Sequence, residues 1–166
     1  MKHVYHATSK IHGMGVFAGE DIKRGEAIQP IKGKMMFFTV TKKEDSLAYP
    51  DWIGIGKNQW IDPEKPFKFI NHSCNANSGV KGQIDIVAIK DIKEGEEITI
   101  DYSIIEGDAF WEMPCSCGKS NCRKIVRSIQ FMPKEQYDKY MPFIPEYFQG
   151  LYAEHQAAML KNGQKI

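Results

Sequence analysis

The chain has little net charge to offer a partner. Its 22 Lys and Arg nearly cancel 21 Asp and Glu, leaving +1 over 166 residues. That excludes the broad positive field that draws a protein to nucleic acid or to an acidic membrane. Long hydrophobic runs are missing too. No apolar stretch approaches the roughly 20 residues of a bilayer-spanning helix. No charged segment followed by an apolar one opens the chain, as in a secretory signal. The expectation is a protein with no membrane and no direct nucleic-acid role, intracellular, and cytoplasmic or, in a eukaryote, nuclear. Clean helical periodicity is absent before about residue 130. Cysteine is scarce, with four in all. In a reducing compartment such a set more often binds metal or does chemistry than forms disulfides.

What is present is ordinary in bulk and unusual in detail. Hydrophobic content of 42% and charged content of 26% suit one core-bearing domain with a small appendage. Two segments resemble each other: AGEDIKRGEAI at 18–28 and AIKDIKEGEEI at 88–98. Each reads as strand, tight connection, strand, with Gly25 and Gly95 where a turn needs positive φ. One good turn sequence used twice is as acceptable as a duplication. Further strands are expected at 15–18, 84–89 and 97–102. Pro133 can open a helix that Pro142 and Pro145 break, and Leu151–Leu160 reads as a second. The predicted organisation is a β-rich domain over 1–110, a cysteine-rich clip over 111–127 and a helical extension over 128–166.

Three cysteines crowd into CSCGKSNC, at Cys115, Cys117 and Cys122. A closed structural zinc site wants four ligands. Cys74, in FINHSCNAN, is the one cysteine left. If it joins the others, a metal ties the clip to the core. Lys119, Arg123 and Lys124 stand close enough in sequence to offset the charge of four thiolates. A disulfide or plain buried thiols are the alternatives; the spacing and the short glycine-containing loop favour zinc.

Four stretches carry a resemblance. HGMGVFA (His12 to Ala18), FINHSC (Phe69 to Cys74), GEEITIDY (Gly95 to Tyr102) and CSCGKSNCRK (Cys115 to Lys124) follow one another in the chain. Together they resemble the motifs of SET-domain protein lysine methyltransferases with a post-SET zinc clip. The resemblance implies a mainly β (α+β) fold, a β-clip of small sheets with a knot-like crossing, a zinc-bound clip and C-terminal helices. It implies zinc on Cys74, Cys115, Cys117 and Cys122. It implies S-adenosyl-L-methionine held by Gly13, Met14, Gly15, Phe69, Asn71, His72, Tyr102 and Trp111. His72 is expected to bind and pack rather than move protons.

Tyr102 is the implied catalytic residue, with Ile100 and Phe110 in the substrate channel. Without the motif Tyr102 would read as a buried strand tyrosine. The family usually has Tyr or Phe where Ile100 stands. An aliphatic side chain cannot restrain an amine through a hydroxyl, so addition of more than one methyl is expected. The implied partner is a protein or peptide substrate, a histone or other basic protein, with an exposed lysine in a basic context. Seven acids and no Lys or Arg at 94–112 would form an attracting rim, unless they are only a solvated face.

The sequence departs from the family after Cys74, where Asn75-Ala76-Asn77 replaces the usual x-Pro-Asn. The segment between 29 and 60, which usually shapes the substrate groove, matches poorly. A zinc-stapled binding module without turnover is the competing reading. A redox protein is disfavoured, because it expects C-x-x-C.

Overall fold

The computed structural model describes residues 1–49 and 51–161. Three small sheets share one apolar core, and a fourth packs in a separate cluster with the cysteines. In the first, β1 (Val4–Thr8), β2 (Met14–Ala18), β10 (Glu97–Ile100) and β7 (Asn71–His72) lie in the order β1-β2-β10-β7. The second is β3 (Ala27–Pro30), β9 (Asp85–Ala88) and β8 (Ser78–Lys81), in that order. The third is β4 (Gly33–Phe37), β6 (Gln59–Pro63) and β5 (Ile53–Gly56). A two-stranded ribbon joins β11 (Glu112–Pro114) to β12 (Ile125–Arg127). Two helices follow, α1 (Lys134–Tyr140) and α2 (Glu146–Lys161). Short isoleucine-rich strands suit this arrangement, because β-branched side chains pack well on a pleated face. Ile28, Ile86, Ile98, Ile100 and Ile104 are all buried in the one core.

The two similar segments find each other. Ile22 N–H donates to Ile92 O, and Ile92 N–H to Ile22 O, both at 2.8 Å. Asp21 pairs with Lys93 and accepts from Glu94 N–H, while Asp91 pairs with Lys23 and accepts from Arg24 N–H. Gly25 and Gly95 take φ of 88° and 80°, and donate to Ala88 O and Ala18 O. Each contact thus occurs twice with the roles exchanged. Similar sequence arises here because the same turn serves both sides of one junction. Its exposed ion pairs contribute little; the paired backbone and the buried isoleucines hold it.

Several boundaries differ from the sequence reading. The strand expected to reach Tyr102 ends at Ile100, because the Asp101 side chain accepts from Ser103 N–H at 3.1 Å and caps a 3-10 turn over Tyr102–Ile105. The strand expected over 84–89 spans Asp85–Ala88. The second helix starts at Glu146, directly after Pro145, rather than at Leu151. Residues 162–166, the end of the expected extension, lie outside the described residues. Among the described residues no helix is long and apolar enough to cross a membrane.

The C-terminal helices and their connection pack into the same core as the sheets, through Tyr140, Ile144, Phe148 and Tyr152. They also hold the loop after Cys74. The Tyr140 hydroxyl accepts from Ala76 N–H at 3.3 Å and from Gln136 Nε2 at 2.9 Å. Gln136 Nε2 also donates to Cys74 O, and Lys139 and Lys90 both reach Asn75 Oδ1. A proline at position 76 would have no N–H to give. Helix α1 therefore braces by hydrogen bonds a loop that the resembling family stiffens with a ring. Tyr140→Phe should leave Ala76 N–H buried and unpaired, costing about 1–3 kcal/mol. Urea unfolding of the two proteins side by side checks it; an unchanged midpoint would remove the brace.

Candidate active site and metal centre

The site is organised by two residues of parallel strand. Asn71 pairs with Thr99 and His72 with Ile100, which brings the NHSC and DY segments side by side. Tyr102 N–H donates to His72 Nδ1 at 3.1 Å. Nδ1 is therefore the bare nitrogen, and the ring proton sits on Nε2, 3.3 Å from Cys74 Sγ. Burial, opposed by the charge of Asp101 and reinforced by that of Arg123, lowers His72 to about 4. A neutral ring makes no ion pair with Asp101, 3.7 Å away. His72 thus orients Tyr102 on one side and Cys74 on the other.

Tyr102 lies at the start of the 3-10 turn, with its hydroxyl donating to Ile70 O at 2.7 Å. Burial, helped by the charges of Asp51 and Glu97, pushes the phenol well above its ordinary value. It stays neutral at any physiological pH and cannot act as a base. Its oxygen lone pairs remain to orient a ligand.

Asn71 locks the glycine segment. Its Nδ2 lies 3.1 Å from His12 O, 2.9 Å from Met14 O and 2.8 Å from Glu97 Oε1. Three acceptors around one atom identify it as the nitrogen. Among the described residues no group donates to Asn71 Oδ1. Gly13 takes φ of 47°. At Gly15 a side chain would run into the Glu97 carboxylate, which also accepts from Ser9 Oγ. The second glycine is thus required by the protein's own packing. Met14 is partly exposed, and Phe69 packs against the core and tilts onto His6.

The four cysteines meet. All four ligand sulfurs lie within 4.8 Å of one another, with Cys74 and Cys115 3.9 Å apart. Zinc–sulfur bonds of about 2.3 Å in a tetrahedron put sulfurs about 3.8 Å apart. The residues fit zinc. All four thiols are free, and burial pushes those of Cys74 and Cys115 up, so a dication is what would let these two ionise. Arg123 N–H points at Cys74 Sγ, while its guanidinium bonds Asp101 at 2.5 Å and Ser103 Oγ at 3.1 Å. Asp101 is fully buried. This ion pair is a second tie between clip and core.

A cavity of about 90 Å³ opens beside Tyr102. Its walls include Phe38, Tyr49, Trp52, Trp60 and Trp111, with Ile70 and Tyr102 at one part. Tyr49 and Trp52 stack, with ring centroids 3.8 Å apart. Asp45, Asp51, Glu106 and Asp108 also line it, against a single basic residue, Lys68. Aromatic walls with acidic groups suit an alkyl chain carrying a cation.

Trp111 and Tyr102 share this cavity, whereas Phe110 lines a neighbouring one with Trp60 and Tyr147. Ile100 is buried in the core, 1% exposed. The seven acids at 94–112 do not form one rim. Glu97 and Asp101 are internal ties, Glu112 pairs with Lys43, and Glu106 and Asp108 reach the cavity. The sequence reading missed Tyr49, Trp52 and Trp60 as walls. Their signal was the aromatic density of the segment that matched poorly.

Comparison with known proteins agrees with the geometry. A family model described as SET domain matches residues 13–103. The chain is 35% identical over 135 residues to the histone-lysine N-methyltransferase trithorax of Drosophila virilis, covering 71% of this chain. It is 33% identical over 135 residues to histone-lysine N-methyltransferase 2B of Homo sapiens, again over 71% of this chain. The chain spans only 3% and 5% of those relatives. Among solved structures, KRYPTONITE superimposes with a TM-score of 0.58 at 22% identity, over 76% of this chain and 30% of that one. An autoinhibited ctPRC2 gives 0.53 at 23% identity, over 64% and 16%. At such identities these two show the fold.

Two outcomes follow from the site. The purified protein should carry one zinc per chain by atomic emission, and Cys74→Ser should lose it; full retention in the variant would remove Cys74 from the ligand set. Glu106 is the second test. Burial pushes it up from 4.5 to about 8. Its contribution to stability is complete below pH 4.5, where both states hold the proton, and is lost as pH rises through about 8. Glu106→Gln should therefore match the parent near pH 4.5 and exceed it above pH 8, by on the order of 2–5 kcal/mol. Thermal melts across pH would show a constant offset if the carboxyl were not held protonated.

Proposed function

Because the chain belongs to the SET-domain family, we propose that it transfers the methyl group of S-adenosylmethionine to a lysine side chain of a protein. The observation that carries this reading is Tyr102, which lines an aromatic, acid-lined cavity and bonds Ile70 O, next to the Asn71 that holds the glycine segment. The named relatives are histone-lysine N-methyltransferases. The ctPRC2 structure is described as bound to S-adenosylmethionine, and the KRYPTONITE structure as in complex with mCHH DNA, an H3(1-15) peptide and SAH.

The cofactor, when bound, supplies an electrophilic methyl on sulfur. Gly13, Met14, Gly15, Phe69, Asn71, His72, Tyr102 and Trp111 would hold it. Asn71 fits that part: its Nδ2 is used up by the protein, and its Oδ1 is left to accept from an ammonium. The aromatic walls exclude water from a lysine stem and favour the neutral amine, since burial lowers a lysine pKa. Asp51 and Asp108 draw the charged form toward the cavity first. Tyr102 then orients the amine through its oxygen, and gains most where charge shifts during transfer.

A histone or another basic protein is the proposed substrate. Free clustered thiols fit a reducing, intracellular place. Ile100, two residues before Tyr102, carries no hydroxyl, and although it lies in the core rather than in the cavity lining, its identity supports addition of more than one methyl.

Incubating the protein with heavy-methyl S-adenosylmethionine and a lysine peptide library, read by mass spectrometry, tests these statements together. Tyr102→Phe should keep cofactor binding by calorimetry and lose transfer by at least about 100-fold. Ile100→Tyr should shift products toward one methyl. Cofactor binding with no transfer to any peptide or lysate protein would favour a binding module. Intact turnover in Tyr102→Phe would make Tyr102 a wall.

A further inference from the structure

Ser9 has no part in the transfer step, yet its hydroxyl is fully engaged beside the site. It lies between β1 and β2, before the residues that the SET-domain model matches, and is half-buried. Ile11 N–H lies 2.8 Å from its oxygen and His12 N–H 3.4 Å, and both are donors. The two Glu97 carboxylate oxygens lie at 2.8 and 2.9 Å. A hydroxyl has one proton to give and two lone pairs. The backbone N–H groups take the lone pairs, so the proton goes to Glu97. Ser9 N–H also donates to Gly13 O at 2.9 Å. The loop from Ser9 to Gly13 is thus closed on itself, as serine closes turns, and the same oxygen fastens it to β10.

Glu97 passes this constraint on. Its Oε1 also accepts from Asn71 Nδ2, at 2.8 Å. The other two acceptors of that nitrogen, His12 O and Met14 O, belong to the glycine segment that Ser9 closes. A reversed Asn71 amide would set its oxygen against three acceptors. The nitrogen is therefore spent on the protein, and Oδ1 is the atom left for a ligand. The packing leaves no slack: a Cβ on Gly15 would come within 3.1 Å of Ser9 Cβ as well as onto the Glu97 carboxylate.

We propose that Ser9 is a positioning residue: through Glu97 it fixes the Asn71 amide in the orientation that offers Oδ1 to an ammonium group of the bound ligand. That this ligand is S-adenosylmethionine rests on the methyltransferase reading; the relay from Ser9 to Asn71 does not. Ser9 acts through two other side chains and needs no contact with the ligand. Its effect is selective. A hydrogen bond to a charged group contributes more than a neutral one, so a misplaced Asn71 is felt at the amino group before anywhere else.

The zinc-loaded full chain is titrated by calorimetry with S-adenosylhomocysteine and with its analogue carrying hydrogen in place of the α-amino group. In the parent, loss of the amino group should weaken binding at least about tenfold. In Ser9→Ala, checked for native circular dichroism, that penalty should fall below about threefold. Ser9→Thr, which keeps the hydroxyl, should retain it. Ser9→Ala should also raise the KM for S-adenosylmethionine and recover its rate once the cofactor saturates. An unchanged penalty in Ser9→Ala, even if both compounds bind more weakly, would overturn the proposal, because a loosened fold does not single out the amino group.

A second measurement needs no ligand. The side-chain amide protons of Asn71, followed by NMR in isotope-labelled protein, should exchange slowly with solvent in the parent and in Ser9→Thr. In Ser9→Ala they should exchange at least about tenfold faster. Unchanged exchange overturns the relay. Faster exchange in Ser9→Ala, with no binding of S-adenosylhomocysteine to the parent, overturns the methyltransferase reading and leaves the relay standing.

Discussion

Two residue pairs of parallel strand, Asn71 with Thr99 and His72 with Ile100, are what the rest of the molecule depends on. Parallel pairing of segments far apart in sequence is entropically demanding to form. Once formed, it brings the glycine segment, Tyr102 and Cys74 together. The Asn71 amide reaches back to the glycine segment, and the His72 ring joins Tyr102 to Cys74. Asn77 closes the arrangement, donating to Glu97 O and accepting from Thr99 N–H. A one-residue slip would turn each of these side chains to the opposite face.

The clip is tied down twice, by different physics. Four sulfurs at zinc spacing make one tie, which depends on metal and on deprotonation. The buried Asp101–Arg123 pair makes the other. A buried ion pair gives little net stability, since desolvation offsets its attraction. Breaking it is another matter, because Asp101 would be left charged and fully buried. The pair therefore acts on placement: it seats Arg123 where its N–H meets Cys74 Sγ. Helix α1 adds a third hold on the same loop, through Gln136 and Tyr140. The loop that carries Cys74 is thus fixed from the core, the clip and the C-terminal helices at once.

The cavity follows from this framework. One side comes from the segment between β4 and β6, the other from the turn after β10 and the start of the clip. Opposed elements of this kind can change their lining residues without touching the β7–β10 pairing. That separates the framework of Tyr102 and the Asn71 network from the aromatic and acidic walls of the cavity.

The motifs alone determined the family resemblance, the four cysteines as one ligand set, and the roles expected of Tyr102 and Asn71. Those features are local: glycine at positive φ, cysteine spacing, and short apolar strands around turns are written in neighbouring residues. Likewise Pro133, Pro142 and Pro145 mark the helix ends, because proline acts on its own backbone. What only the tertiary structure decided is non-local. The similar segments at 18–28 and 88–98 bond to each other, which no pattern within either could show. The acids at 94–112 looked like one charged face. In the fold they go different ways, because a turn after Ile100 sends Asp101 inward and Glu106 and Asp108 to the cavity wall. Whether a carboxylate is a solvated charge, an internal tie or part of a cavity wall depends on what packs around it, and its neighbours arrive from distant parts of the chain.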